Sequence, residues 1–153
     1  GPLHGGANTD VMNLLLEIGQ DATDQKVEEI IRGKLGRKEK VPGFGHRFHP
    51  LDPRTPRLLS LVDGAAADGV VAGRFATIGR AVEDAISEGR PKRVPMNVDG
   101  ATAVIYCELG LTPELGRGVF ILARSTDDME ALMALEVDTL FAGDVGESRL
   151  GEL

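Results

Sequence analysis

The sequence predicts an all-α fold. Apolar residues recur at helical spacing along most of the chain, pairs of a capping residue and a proline punctuate those runs, and no stretch alternates apolar and polar residues for more than a few positions. Val11, Leu14, Leu15 and Ile18 mark a first helix, with Thr9 or Asp10 as its N-cap and Gly19 as its stop. Val27, Ile30 and Ile31 mark a shorter second one ending near Gly33. Residues 36–54, crowded with Gly, Pro, Lys, Arg and His, read as a loop, and a loop beyond ~12–15 residues in a compact domain usually carries function. Thr55-Pro56 supplies an N-cap and a first-turn proline for a helix bearing Leu58, Leu59, Leu61 and Val62. Phe75, Ile78, Val82, Ala85 and Ile86 form the next amphipathic helix, which stops at Gly89-Arg90-Pro91. Residues 101–109 read as a buried helix beginning after Asp99, and Thr112-Pro113 opens a helix over 115–124. Met129, Leu132, Met133 and Leu140 continue the helical pattern.

Composition narrows the function classes. With 153 residues the chain is one domain or slightly more, and its 42% hydrophobic and 27% charged residues are an ordinary globular balance. A net charge of −7, from 17 Lys+Arg against 24 Asp+Glu, argues against nucleic-acid and anionic-membrane partners, which select basic excess. No apolar run reaches the ~20 residues of a membrane span. A single cysteine, Cys107, allows no internal disulfide, so a reducing cytoplasmic location is expected. The chain opens Gly1-Pro2 without an initiator Met, so its numbering is expected to begin inside a longer protein.

The three histidines fall in two glycine-flanked segments, His4 in GPLHGG and His46 and His49 in GFGHRFHPLDPR. Flanking glycines disfavour helix interior by about 1 kcal/mol each relative to Ala and let a ligand approach the backbone. These histidines are therefore either ligand-facing or simply exposed in loops. The His46-x-x-His49 spacing alone, with no cysteine nearby, does not make a metal site, and none is expected. Arg47, Arg54 and Arg57 form a basic knot in an acidic chain, suited to a carboxylate or phosphate, or else paired with acids such as Asp52 or Asp63. Asp99 stands before an apolar helix, where it serves as an N-cap or, if desolvated, as a base, and Asn97 beside it could orient a substrate. Arg124 ends the apolar run of residues 120–123 and either reaches solvent or enters a polar site.

Taken in order, GPLHGGAN at 1–8, VPGFGHR at 41–47, DPR at 52–54, NVDG at 97–100 and FILAR at 120–124 resemble the citrate synthase superfamily, which includes the citryl-CoA lyases. The resemblance implies a citrate synthase-like helical small domain over about 6–100, return helices of the large domain over 101–125, and a divergent tail over 126–153. It implies an acyltransferase that condenses acetyl-CoA with oxaloacetate to citrate and CoA, the CoA thioester being substrate and no cofactor being needed. In that scheme His4 hydrogen-bonds the thioester oxygen, Asp99 removes the methyl proton and His46 assists the oxaloacetate carbonyl. Arg54 and Arg124 hold carboxylates, while Val41, Pro42, Gly43, Phe44, Gly45, Arg47 and Asn97 receive coenzyme A. The FHPL spacer between Arg47 and Asp52 is one residue shorter than usual, which brings in Arg57 as an alternative to Arg54. The family's upstream half has no counterpart here, and the parent is expected to be a homodimer. A citryl-CoA lyase-like cleavage enzyme and a non-catalytic CoA-binding remnant are the alternatives. Without its upstream partner the chain is expected to be inactive by itself. Its helices over 101–109 (Ala101, Val104, Ile105, Leu109) and 115–124 are expected to leave apolar surface uncovered.

Overall fold

A computed structural model describes residues 2–46 and 50–124, with the side chains at 2–5, 120, 123 and 124 outside the description. Among the described residues six helices follow one another: α1 (Pro2–Ile18), α2 (Asp24–Gly36), α3 (Arg54–Ala67), α4 (Arg74–Ser87), α5 (Val98–Glu108) and α6 (Pro113–Arg124). Among the described residues there is no strand, only an isolated antiparallel bridge between Phe44 and Met96. The all-α expectation holds. The chain divides after Phe120 into two units; the first holds α1 to α5 and most of α6, and the second, from Ile121, is described only to Arg124. The helical pattern at Met129, Leu132, Met133 and Leu140, and the tail over 126–153, lie outside the described residues.

α5 is the centre of the first unit and packs against α1, α3 and α4, while α2 covers α4. Its sequence suits that position. Gly100, Ala101, Ala103, Val104, Tyr106 and Cys107 are all buried, and the small residues let neighbouring helices approach closely. Ala101 and Val104 are completely enclosed, so α5 does not leave the uncovered apolar surface expected of it, apart from Leu109. On α6, Leu115, Val119, Ile121 and Leu122 are exposed as expected, and Leu16, Leu51, Leu61 and Val70 are exposed elsewhere. Burial also pushes the Cys107 thiol up to about 12, with the Glu108 charge adding to the effect, which leaves it protonated and unreactive.

Three helix starts differ from the expected ones. α1 begins at Pro2, not after Thr9, so residues 2–6 of the first glycine-flanked segment are helix rather than loop. The two glycines are tolerated because the same helix buries Asn8, Val11, Met12, Leu15 and Ile18, and tertiary packing outweighs intrinsic propensity. α3 begins one residue before Thr55, which is buried, and the Asp52 carboxylate accepts the Arg54 N–H at 3.1 Å in the capping role. At α5 the N-cap is Asn97, whose Oδ1 accepts the Asp99 and Gly100 amides at 3.0 and 3.2 Å, so Asp99 lies inside the first turn and is not the cap. Thr112 does cap α6 as expected, accepting the Leu115 N–H at 3.4 Å.

Candidate functional site

The N-terminal end of α5 is where the separated motifs meet. The segment 43–45 runs antiparallel to 95–97: Gly45 N–H donates to Pro95 O at 2.7 Å and Asn97 N–H to Gly43 O at 2.9 Å. This approach depends on glycine at both contacting positions. A Cβ on Gly43 would stand 2.5 Å from Val11 Cγ2, and one on Gly100 would stand 2.5 Å from Gly43 O; Gly43 also has a φ of +85°. The Asn97 side chain completes the junction, since its Nδ2 donates to Gly45 O at 2.8 Å while its Oδ1 caps α5. Asn97 therefore ties the loop to the helix.

The loop also forms one wall of a groove of about 1120 Å³. Val41, Pro42 and Phe44 line it together with Leu14, Ile86 and Val94. Its polar members include Lys34, which Glu17 and Glu39 neutralise at 3.2 and 3.8 Å, and Lys40 and Arg90, which hold no ion pair among the described residues. Such a groove offers apolar walls and two cationic positions to a long, partly anionic ligand.

On the other side of the α5 terminus stands Asp52, 1% exposed and fully hydrogen-bonded. Its Oδ1 accepts the Arg54 amide and Nε at 3.1 and 2.9 Å, and its Oδ2 accepts Arg54 Nη2 at 2.9 Å and the Val98 amide at 3.1 Å. The Arg54 guanidinium, aided by the Arg54 and Val98 amides, outweighs burial and lowers the Asp52 pKa to about 2. The arginine side chain stays 55% exposed. A guanidinium has five N–H donors and Asp52 engages two, so Arg54 keeps donors for an incoming carboxylate.

Asp99 is half-buried, with its Oδ1 enclosed. Its backbone carbonyl accepts Asn8 Nδ2 at 3.2 Å, and the same amide donates to Thr102 Oγ1 at 3.0 Å. His46 is exposed at the end of the glycine loop. His4 lies in the first turns of α1, one turn before Asn8, and Arg124 closes α6; neither side chain is among those described. Arg47 and His49 lie outside the described residues, and Arg57 is exposed on α3. No cluster of His, Cys, Asp or Glu suited to a metal occurs among the described residues.

Two contributors receive no site role from the motifs, although Asp52 is expected as a possible ion-pair partner of the arginines and does pair with Arg54 at 2.9 Å. Asn8 sits at helical spacing before Val11, Met12 and Leu15 and shares their buried face, and Asp52 is the acid of the DPR triplet. An uncharged polar residue on an apolar stripe was the available signal for the first. For the second it was an acid two residues before an arginine.

Comparison with known proteins gives a consistent result. A family model described as citrate synthase, C-terminal domain, matches residues 1–127. Citrate synthase 2 of Bacillus subtilis (strain 168) is 36% identical over 125 residues, covering 81% of this chain and 32% of that protein. A citrate synthase of Deinococcus radiodurans is 40% identical over 126 residues, again 81% of this chain and 32% of the relative. Among solved structures, a citryl-CoA lyase from Hydrogenobacter thermophilus superposes with a TM-score of 0.66 at 36% identity, covering 79% of this chain and 45% of that one. The chain spans about a third of the length of these curated relatives.

Proposed function

The chain belongs to the citrate synthase family, and from that premise we propose that it carries part of an active site condensing acetyl-CoA with oxaloacetate to citrate and CoA. The observation that supports this most directly is the convergence on one end of α5 of Asp99, Arg54 and the 41–46 loop, three motifs separated by up to 58 positions in sequence numbering (99 − 41).

In this reading Asp99 takes the methyl proton of the thioester. An α-proton of a thioester is weakly acidic, so the base needs a donor at the thioester oxygen to stabilise the developing charge; His4 supplies it. Arg54 and Arg124 hold the dicarboxylic acid against the enol, which supplies proximity, and His46 donates to the carbonyl that becomes an alkoxide. The groove beside Val41, Pro42 and Phe44 takes the coenzyme, with Gly43, Gly45 and Asn97 shaping the loop and Arg47 adding charge. Lys40 and Arg90 contribute cations at the same groove. A homodimer in the cytoplasm completes the proposal; no helix among the described residues is long and apolar enough to cross a membrane.

Similarity to a citryl-CoA lyase structure supports cleavage as the second reading. Thiol release from acetyl-CoA separates the two. Release that depends on oxaloacetate, with citrate formed in equal amount, supports condensation. Cleavage of citryl-CoA without such condensation assigns the lyase reaction, and CoA binding with neither activity assigns a binding remnant.

A further inference from the structure

The first turn of α5 is held on two sides by buried polar side chains, and one of them also holds the arginine next to it. Asp52 spends one oxygen on the amide of Val98, the residue before Asp99, and both oxygens on the Arg54 guanidinium. Asn8, completely buried on α1, fastens the opposite side through the Asp99 carbonyl and Thr102. Thr102 Oγ1 in turn donates to Val98 O at 2.7 Å, closing the turn on itself.

We infer that Asp52 is a positioning residue that sets both the orientation of Arg54 and the electrostatic environment of Asp99, so that the carboxylate-binding arginine and the base are held as one unit. The roles of Arg54 and Asp99 rest on the condensation reading; the coupling between them rests on the Asp52 bonds to Arg54 and to the Val98 amide, together with the action of the Asp99 charge on Arg54. Without Asp52 a half-exposed arginine samples many rotamers, whereas three bonds to one buried carboxylate, two of them from the guanidinium, restrict it to a single approach for a ligand. Asp52 also offsets the Arg54 charge seen by Asp99. The two groups interact: the Arg54 pKa is raised first by the hydrogen bond to Asp52, with the charges of Asp52 and Asp99 adding to it against burial. The other described titratable groups at this end are His46 of the loop and Glu83 of α4. The Glu83 carboxylate is taken up by the Met96 amide at 2.9 Å and by Arg93 at 2.7 Å.

The test uses the whole chain without substrate, labelled with ¹³C at aspartate carboxyls and ¹⁵N at arginine Nε. In Asp52→Asn, Arg54 loses its neutralising partner and Asp99 faces a net positive neighbour. The Asp99 titration then moves to lower pH by roughly half a unit or more, and exchange of the Arg54 Nε proton accelerates about tenfold or more as its charge-assisted bond goes. In Arg54→Gln the Asp99 titration moves the opposite way. Unchanged amide shifts for Val82 and Ile86 in the α4 core certify the fold. An Asp99 titration that stays put in folded Asp52→Asn overturns the inference; should that variant not fold, an unmoved titration in Arg54→Gln overturns it equally. Because neither readout involves turnover, absence of condensation would defeat the functional reading and leave the coupling standing.

Discussion

Both ends of α5 are joined to the rest of the bundle by a carboxylate that accepts helix-opening amides, yet the two junctions differ in what they leave over. At the C-terminal end Glu108 accepts the Gly73, Phe75 and Ala76 amides at 2.9, 2.7 and 3.1 Å, capping α4 from a distance in sequence of more than thirty positions. All of its bonds go to backbone, and Gly73, whose own residue type has no side-chain acceptor, is thereby served. At the N-terminal end Asp52 accepts one α5 amide and then engages Arg54, whose guanidinium remains exposed. One junction is closed and holds the fold; the other is open on one side and leaves a charged group exposed. Equivalent chemistry becomes structural or functional according to whether its hydrogen-bonding capacity is used up inside the protein.

The sharpest way to break this contrast is at Asp99. Since Asn97 supplies the cap, Asp99→Asn should leave thermal stability unchanged while oxaloacetate-dependent turnover of the complete parent enzyme falls by ~100-fold or more, the scale for a positioned base. Wild-type turnover in a folded variant would remove the base from the open end. At the closed end Glu108→Ala orphans three amides, and chemical denaturation should show a loss of ~2 kcal/mol with binding of CoA unaffected. A change in CoA affinity at unchanged stability would dissolve the distinction between the ends.

Acid unfolding tests the open junction as structure. The Asp52 pKa is depressed when folded, from 3.8 to about 2, so its contribution is present above pH 3.8 and disappears as the pH falls through about 2. Asp52→Asn should flatten the decline of stability in that window by ~1–2 kcal/mol, less than a full conversion of the shift because its partner is half-exposed. An identical pH profile in the variant would mean that the pair contributes nothing to folding. The smallest effect is expected for Glu108→Gln, whose single carbonyl oxygen still serves the Phe75 and Ala76 amides while Gly73 loses its acceptor and the charge is removed. A shift below ~1 kcal/mol in the same denaturation would show that geometry, more than charge, closes that end.

The sequence by itself determined the helical class, the core faces of α1 and α4, and the family, because periodicity and ordered motifs are local properties of the chain. Val11, Leu14, Leu15 and Ile18, and Phe75 to Ile86 at helical spacing, are buried where their period puts them. It also picked out Asp99, Arg54 and the 41–46 loop as belonging together. Only the tertiary structure decided that His4 begins inside a helix, that Asn97 rather than Asp99 caps α5, and that Glu108 caps α4. It also decided that Asp52 and Asn8 grip the turn that carries Asp99. Each of those outcomes depends on which distant backbone amide or carbonyl comes within hydrogen-bonding reach. That is set by helix packing, through close approaches such as Gly43 against Gly100, and no spacing along the chain encodes it.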